Sequence, residues 1–186
     1  MTAATPGRPL RADAARNRAK VLEAAGAVFA ERGPSASTEE VARRAGVGAG
    51  TVFRHFPTKE ALLEAVLVAL LEDHAREARA RIEHDDPGAA FFGFFTRVVE
   101  RAATKNALSG ALADAGIDPR QATGEAGAAL KRALGTLLER AQAAGAVRAD
   151  VTLAEVLALL AGMSHAAGHG GDGRALEIVF DGLRPR

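Results

Sequence analysis

A chain of 186 residues is long enough for one large domain, or for a small module fused to a larger one, and either arrangement buries a substantial core. The absence of cysteine excludes a disulfide framework, a thiolate nucleophile and thiolate zinc ligation, and it suits a reducing cytoplasm. The net charge of +1 conceals a division at Lys59: ten Lys/Arg against five Asp/Glu up to that residue, fourteen against eighteen beyond it, the asymmetry of a chain whose first part alone meets a polyanion.

Residues 1–12, rich in Pro, Gly and Arg and without periodicity, are expected to form a disordered basic arm rather than a secretory signal, because no apolar run follows Pro6, Arg8, Pro9 and Arg11. Apolar residues make up 48% of the chain, led by alanine and leucine, with no Trp or Tyr, which favours an all-α protein. From Arg16 to Arg32, Val21, Leu22, Ala25, Val28 and Phe29 fall at helical spacing until Gly33-Pro34. Ser37 and Glu40 read as an S-x-x-E capping box opening a short helix that Gly46 closes in a left-handed cap. A second short helix runs from about Ala49 to His55, and Thr58 is the N-cap of a long helix carrying Leu62, Leu63, Val66, Leu67, Leu70 and Leu71 as far as Ile82. Asp85-Asp86-Pro87-Gly88 breaks the chain again.

In Phe91-Phe92-Gly93-Phe94-Phe95 the four rings span an arc of roughly 160° at ~100° per residue, so one helix face is strongly aromatic. A weakly patterned stretch from Asn106 to Ala122 precedes a helix with Leu130, Leu134, Leu137, Leu138 and Ala141, which Gly145 ends. The last two helices carry clean stripes: Leu153, Val156, Leu157, Leu160 and Met163, then Leu176, Val179, Phe180 and Leu183. About nine helices are expected. Glu64 and Glu155 interrupt the best apolar runs well before the ~20 residues needed to span a bilayer.

Two short helices joined by a glycine turn, with basic residues around the second, have the outline of a helix-turn-helix reader. The run from Val21 to Leu63, VLEAAGAVFAERGPSASTEEVARRAGVGAGTVFRHFPTKEALL, resembles the TetR-family DNA-binding domain throughout: AERG, EEVARRAGV and GTVFRHF followed by P-x-K-E-A-L stand in the family's order and spacing. The resemblance covers about a quarter of the chain. It implies a DNA-binding domain over 13–59 and a ligand-binding and dimerisation domain over 60–186. It further implies a regulator of transcription, a repressor released from a palindromic double-stranded operator by a small, mostly apolar effector, with no cofactor, metal or membrane.

On that resemblance residues 49–55 enter the major groove. Arg54 occupies a base-reading position and can pair bidentately with guanine. Thr51 contacts a phosphate or a thymine methyl, while His55, Lys59 and Thr38 grip phosphate and set register. The chain departs from the family at three places. Phe53 replaces the usual Tyr and loses its hydroxyl; Gly48 stands where Ser often caps the helix; Ala49 and Gly50 are short, so backbone approach matters more. The basic residues Arg8, Arg11, Arg16 and Arg18 enter a neighbouring minor groove or add salt-dependent affinity, the second reading being preferred for Arg8 and Arg11.

The resemblance also implies an effector pocket in the C-terminal bundle, for which Phe91, Phe92, Phe95, Leu112, Leu134, Leu137, Met163 and His165 are the candidate lining residues. The bland alternative is a well-packed core. His165 and His169 have metal-compatible i, i+4 spacing, but a polar pocket contact or an interaction with a helix C-terminus suits them better without a third ligand, although Asp172 lies nearby. The last two helices are expected to pair with their two-fold mates in a homodimer. Two rival readings stand beside this one. An enzyme lacks support, because the acids are scattered and no nucleophile-base pair or phosphate loop is evident; a dimeric helical small-molecule-binding protein without specific DNA binding is the alternative.

Overall fold

The computed structural model describes residues 8–167 and 173–185, with the backbone alone over 8–12. Within them lie ten helices: α1 (Arg8–Arg32), α2 (Thr38–Ala45), α3 (Ala49–His55), α4 (Lys59–Ile82), α5 (Pro87–Glu100), α6 (Ala102–Asp114), α7 (Pro119–Ala122), α8 (Gly124–Ala143), α9 (Leu153–Ala167) and α10 (Gly173–Leu183). The described residues contain no strand. The expected all-α class holds. The extra helix arises because the weakly patterned stretch divides: Gly116, at φ +77°, turns the chain after α6, and Asp118 then caps the single turn α7 by accepting from Arg120 N at 2.9 Å.

Of the expected disordered arm, residues 1–7 lie outside the described residues, and the expectation for residues 8–12 is corrected. Residues 8–12 belong to α1, which starts eight residues before the expected Arg16. Proline is tolerated in the first helical turn, where its missing N–H has no intrahelical acceptor, and the following leucine and alanines are strong helix formers.

Two apolar cores form, and α4 runs through both. The first gathers Val21, Ala25 and Phe29 of α1, Val41 of α2, Val52 of α3, and Leu62, Leu63 and Leu67 from the first half of α4, closed by Leu108 and Leu112 of α6. The second gathers Ala78 of α4, the phenylalanines of α5, Leu134, Leu137 and Leu138 of α8, Val156 and Leu160 of α9, and Leu183 of α10. Between them on α4 sits His74, only 2% exposed, its Nδ1 without a hydrogen-bond partner. Burial and then the neighbouring Arg101 charge hold its pKa below the usual 6.5, against Glu77 and Asp73. A charged imidazole here is poorly solvated, so the seam of the molecule carries a neutral histidine.

Beside it Glu77 accepts a hydrogen bond from Arg81 at 2.9 Å and lies 3.7 Å from Arg97 and 3.8 Å from Arg101. Burial alone would raise the Glu77 pKa, but the Arg81 hydrogen bond and the three guanidinium charges together lower it. This cluster ties α4 to the end of α5 and the start of α6. No helix among the described residues is long and apolar enough to cross a membrane.

Candidate nucleic-acid interface

The N-terminal core positions α3 by holding α2 and α3 at fixed ends. Ser37 Oγ accepts from Glu40 N at 3.2 Å, and Glu40 Oε2 accepts from Ser37 N at 3.1 Å, completing the predicted capping box. Glu40 also pairs with Arg32 at the end of α1, and Arg44 donates to Glu31 at 2.7 Å. These two ties clamp α2 onto α1. Gly46, at φ +67°, is the left-handed C-cap; its geometry returns Val47 N to Ala42 O at 3.0 Å and turns the chain into α3. A side chain there is strained by about 1–2 kcal/mol.

Gly48 caps α3 with backbone only, no side-chain bond being made, as its lack of a hydroxyl requires. At the other end Thr58 Oγ1 accepts from Ala61 N at 3.1 Å and starts α4. Val52 and Phe56 are buried, which fixes the roll of α3 and leaves Gly48, Gly50, Phe53 and Arg54 exposed, with Ala49, Thr51 and His55 half-buried. Thr38 and Lys59, both half-buried, begin α2 and α4 respectively. The structure therefore places all nine sequence-predicted DNA contacts on α3, its cap or the helix starts flanking it.

Charge pairing separates the cations here. Arg32, Arg43 and Arg44 lie within 4 Å of Glu40 or Glu31, whereas Arg54 and Lys59 meet no acid among the described residues. Arg18 has a role that spacing could not reveal: its guanidinium lies 5.1 Å from the centre of the Phe56 ring, a cation–π contact between residues remote in sequence.

The candidate effector residues divide. Phe91, Phe95, Leu134 and Leu137 are brought together in the second core and are fully buried, with Phe92 and Met163 packed against them. Leu112 is not among them; it belongs to the first core, one helical turn beyond Leu108 on the α6 face toward α4. His165 is exposed on α9, and His169 and Asp172 lie outside the described residues. Phe94 and Phe180 were missed: Phe94 is wholly buried, and the ring of Phe180 on α10 lies tilted against Phe92, with centroids 4.7 Å apart, and edge-to-face with Phe95 at 5.5 Å. The rings fill the space they enclose. An open groove of about 510 Å³ instead runs between α4 and α7–α8, lined by Glu72, Arg76, Arg79, Thr123, Glu125 and small side chains.

A helix-turn-helix module on a helical bundle is the class that this geometry defines. Residues 21–66 match the family model described as bacterial regulatory proteins, tetR family, and residues 86–185 match that of the transcriptional regulator SbtR-like C-terminal domain. The chain is similar to the HTH-type transcriptional repressor Rv3405c of Mycobacterium tuberculosis, 44% identical over 72 residues, 38% of this chain and 36% of that protein. It is also similar to the regulator TtgR of Pseudomonas putida, 36% identical over 80 residues, 42% of this chain and 38% of that one. The matches thus span little more than a third of these curated relatives. Solved structures align over nearly the whole chain. A TetR transcription regulatory protein from Mycobacterium vanbaalenii is 46% identical over 95% of this chain and 100% of its own, with a TM-score of 0.80. The regulator SCO0520 of Streptomyces coelicolor is 35% identical over 90% and 98%, with a TM-score of 0.71. The chain belongs to the TetR family of transcriptional regulators, and its C-terminal half is SbtR-like.

Proposed function

We propose that this protein is a cytoplasmic repressor that binds a palindromic operator as a homodimer and leaves it when a small, mostly apolar effector enters the C-terminal bundle. The observation that carries this reading is the exposed face of α3: a buried Val52 and a capped, clamped α2 hold it outward, and its long cation, Arg54, has no acid to neutralise it among the described residues. Thr38, His55 and Lys59 grip phosphate on either side, Gly48, Ala49 and Gly50 let the backbone approach, and Thr51 and Arg54 meet base edges. Residues 13–59 form the reading unit and 60–186 the effector and dimerisation unit. The first half of α4 packs in the core of the former and the second half in the core of the latter, so a shift of α4 couples them.

Dimerisation through α9 and α10 is supported by their exposed apolar residues, Leu159 at 36% and Ile178 at 63%. The effector contacts Phe91, Phe92, Phe95, Leu134, Leu137 and Met163. Because these rings already pack together, binding displaces ring contacts, and the difference in affinity between the two packings drives release.

Selection of bound sequences from random duplex DNA at ~0.15 M salt tests the reading. An enriched palindrome supports it. A folded dimer that enriches nothing refutes it and leaves the helical small-molecule-binding protein as the account.

A further inference from the structure

Large apolar side chains that stand well exposed are few among the described residues: Phe53, Leu159 and Ile178. Leu159 and Ile178 lie on the two helices proposed to meet a second copy. Phe53, 45% exposed, lies on α3 instead, on the face proposed to meet DNA. Its surroundings are also apolar. Ala49 and Gly50, one turn before it, share that face, and a Cβ built on Gly50 meets nothing within 4 Å, so the ring stands beside open space. Val52 and Phe56 turn inward, and the polar side chains of α3 that are not buried are Thr51, Arg54 and His55 at the margins.

A major groove presents polar edges almost everywhere, and covering an amide or carbonyl edge with a phenyl ring leaves it without a partner. The one apolar group that the groove offers is the 5-methyl of thymine. We infer that Phe53 reads a thymine methyl in each half-site, neighbouring the guanine taken by Arg54. The inference rests on the proposed entry of α3 into the major groove. It assigns to Phe53 a gain of base selectivity in place of the phosphate bond that a tyrosine hydroxyl would make.

The test uses the full-length dimer and the operator recovered by selection from random duplexes. Each thymine is replaced in turn, symmetrically in both half-sites, by deoxyuridine, which keeps every hydrogen-bonding group and removes only the methyl. Binding of wild type and Phe53→Ala is measured by fluorescence anisotropy, and melting by circular dichroism confirms that both are folded, as an exposed ring permits. Losing a buried methyl weakens binding about fourfold per half-site, or roughly 15-fold for the symmetric pair. At one thymine position wild type shows this loss and Phe53→Ala binds thymine and deoxyuridine operators equally. If no position is methyl-sensitive, or Phe53→Ala keeps the same sensitivity, the ring packs on the sugar-phosphate backbone and the inference is overturned. A selection that enriches no sequence overturns the DNA reading with it, so the two failures are distinguishable.

Discussion

Replacing Ser37 by alanine removes the acceptor for Glu40 N, held at 3.2 Å, while the reciprocal bond from Ser37 N to Glu40 Oε2 at 3.1 Å and the Arg32 pair remain available. The loss is therefore that of one N-cap, about 1 kcal/mol within a range of 0.5–2, whereas Ser37→Gly costs only a few tenths because glycine leaves the helix end open to water. In a chain of this length 1 kcal/mol corresponds to roughly 2–4 °C in melting temperature. Melting followed by circular dichroism at one fixed protein concentration is the assay, since dimerisation makes the midpoint concentration-dependent. The order wild type, Ser37→Gly, Ser37→Ala in falling stability is expected. Equal destabilisation by both variants, or none by alanine, refutes the view that the capping box holds α2 in place.

The seam histidine makes stability pH-dependent. Because the folded state keeps His74 neutral, with its pKa below 6.5, the unfolded chain binds more protons as pH falls below about 6.5, and stability declines until the folded-state pKa is passed. Melting temperatures from pH 7.5 to 5.5 are expected to fall for wild type and to fall less for His74→Phe; identical slopes refute the assignment. Leu112→Ala opens a void in the first core and is expected to cost about 2–5 kcal/mol, read by urea denaturation, a loss below 1 kcal/mol contradicting its place there. Leu159→Glu with Ile178→Glu is expected to convert dimer to monomer in sedimentation velocity and to lower operator affinity, and a dimer that persists at micromolar concentration contradicts the proposed interface.

Local signals were legible because their causes are local. The Ser37–Glu40 box, the Gly46 turn and the Thr58 cap each involve residues three or four apart, so sequence spacing and structural contact coincide. The stretch after Asn106 blurred because α6 is covered on two sides, by α4 and α9, and uses polar atoms as ties: Asn106 Nδ2 donates to Ser164 O at 3.0 Å. Its apolar residues consequently serve two neighbours, and Leu112 faced the core that periodicity alone did not indicate. Phe180 joined the aromatic cluster, and Arg18 met Phe56, through tertiary packing between residues distant in the chain. The early start of α1 went unseen because Pro and Gly near the terminus outweighed the helix formers behind them.

The central claim is that α3 reads bases, and Arg54 tests it most directly. With an operator in hand, affinities of wild type and Arg54→Ala are compared at ~0.15 M salt for that operator and for duplexes altered at each base pair. The account predicts that the variant loses about 1–3 kcal/mol of discrimination at one guanine position per half-site and keeps its preferences elsewhere. Unchanged discrimination at every position, in a folded and dimeric variant, contradicts it.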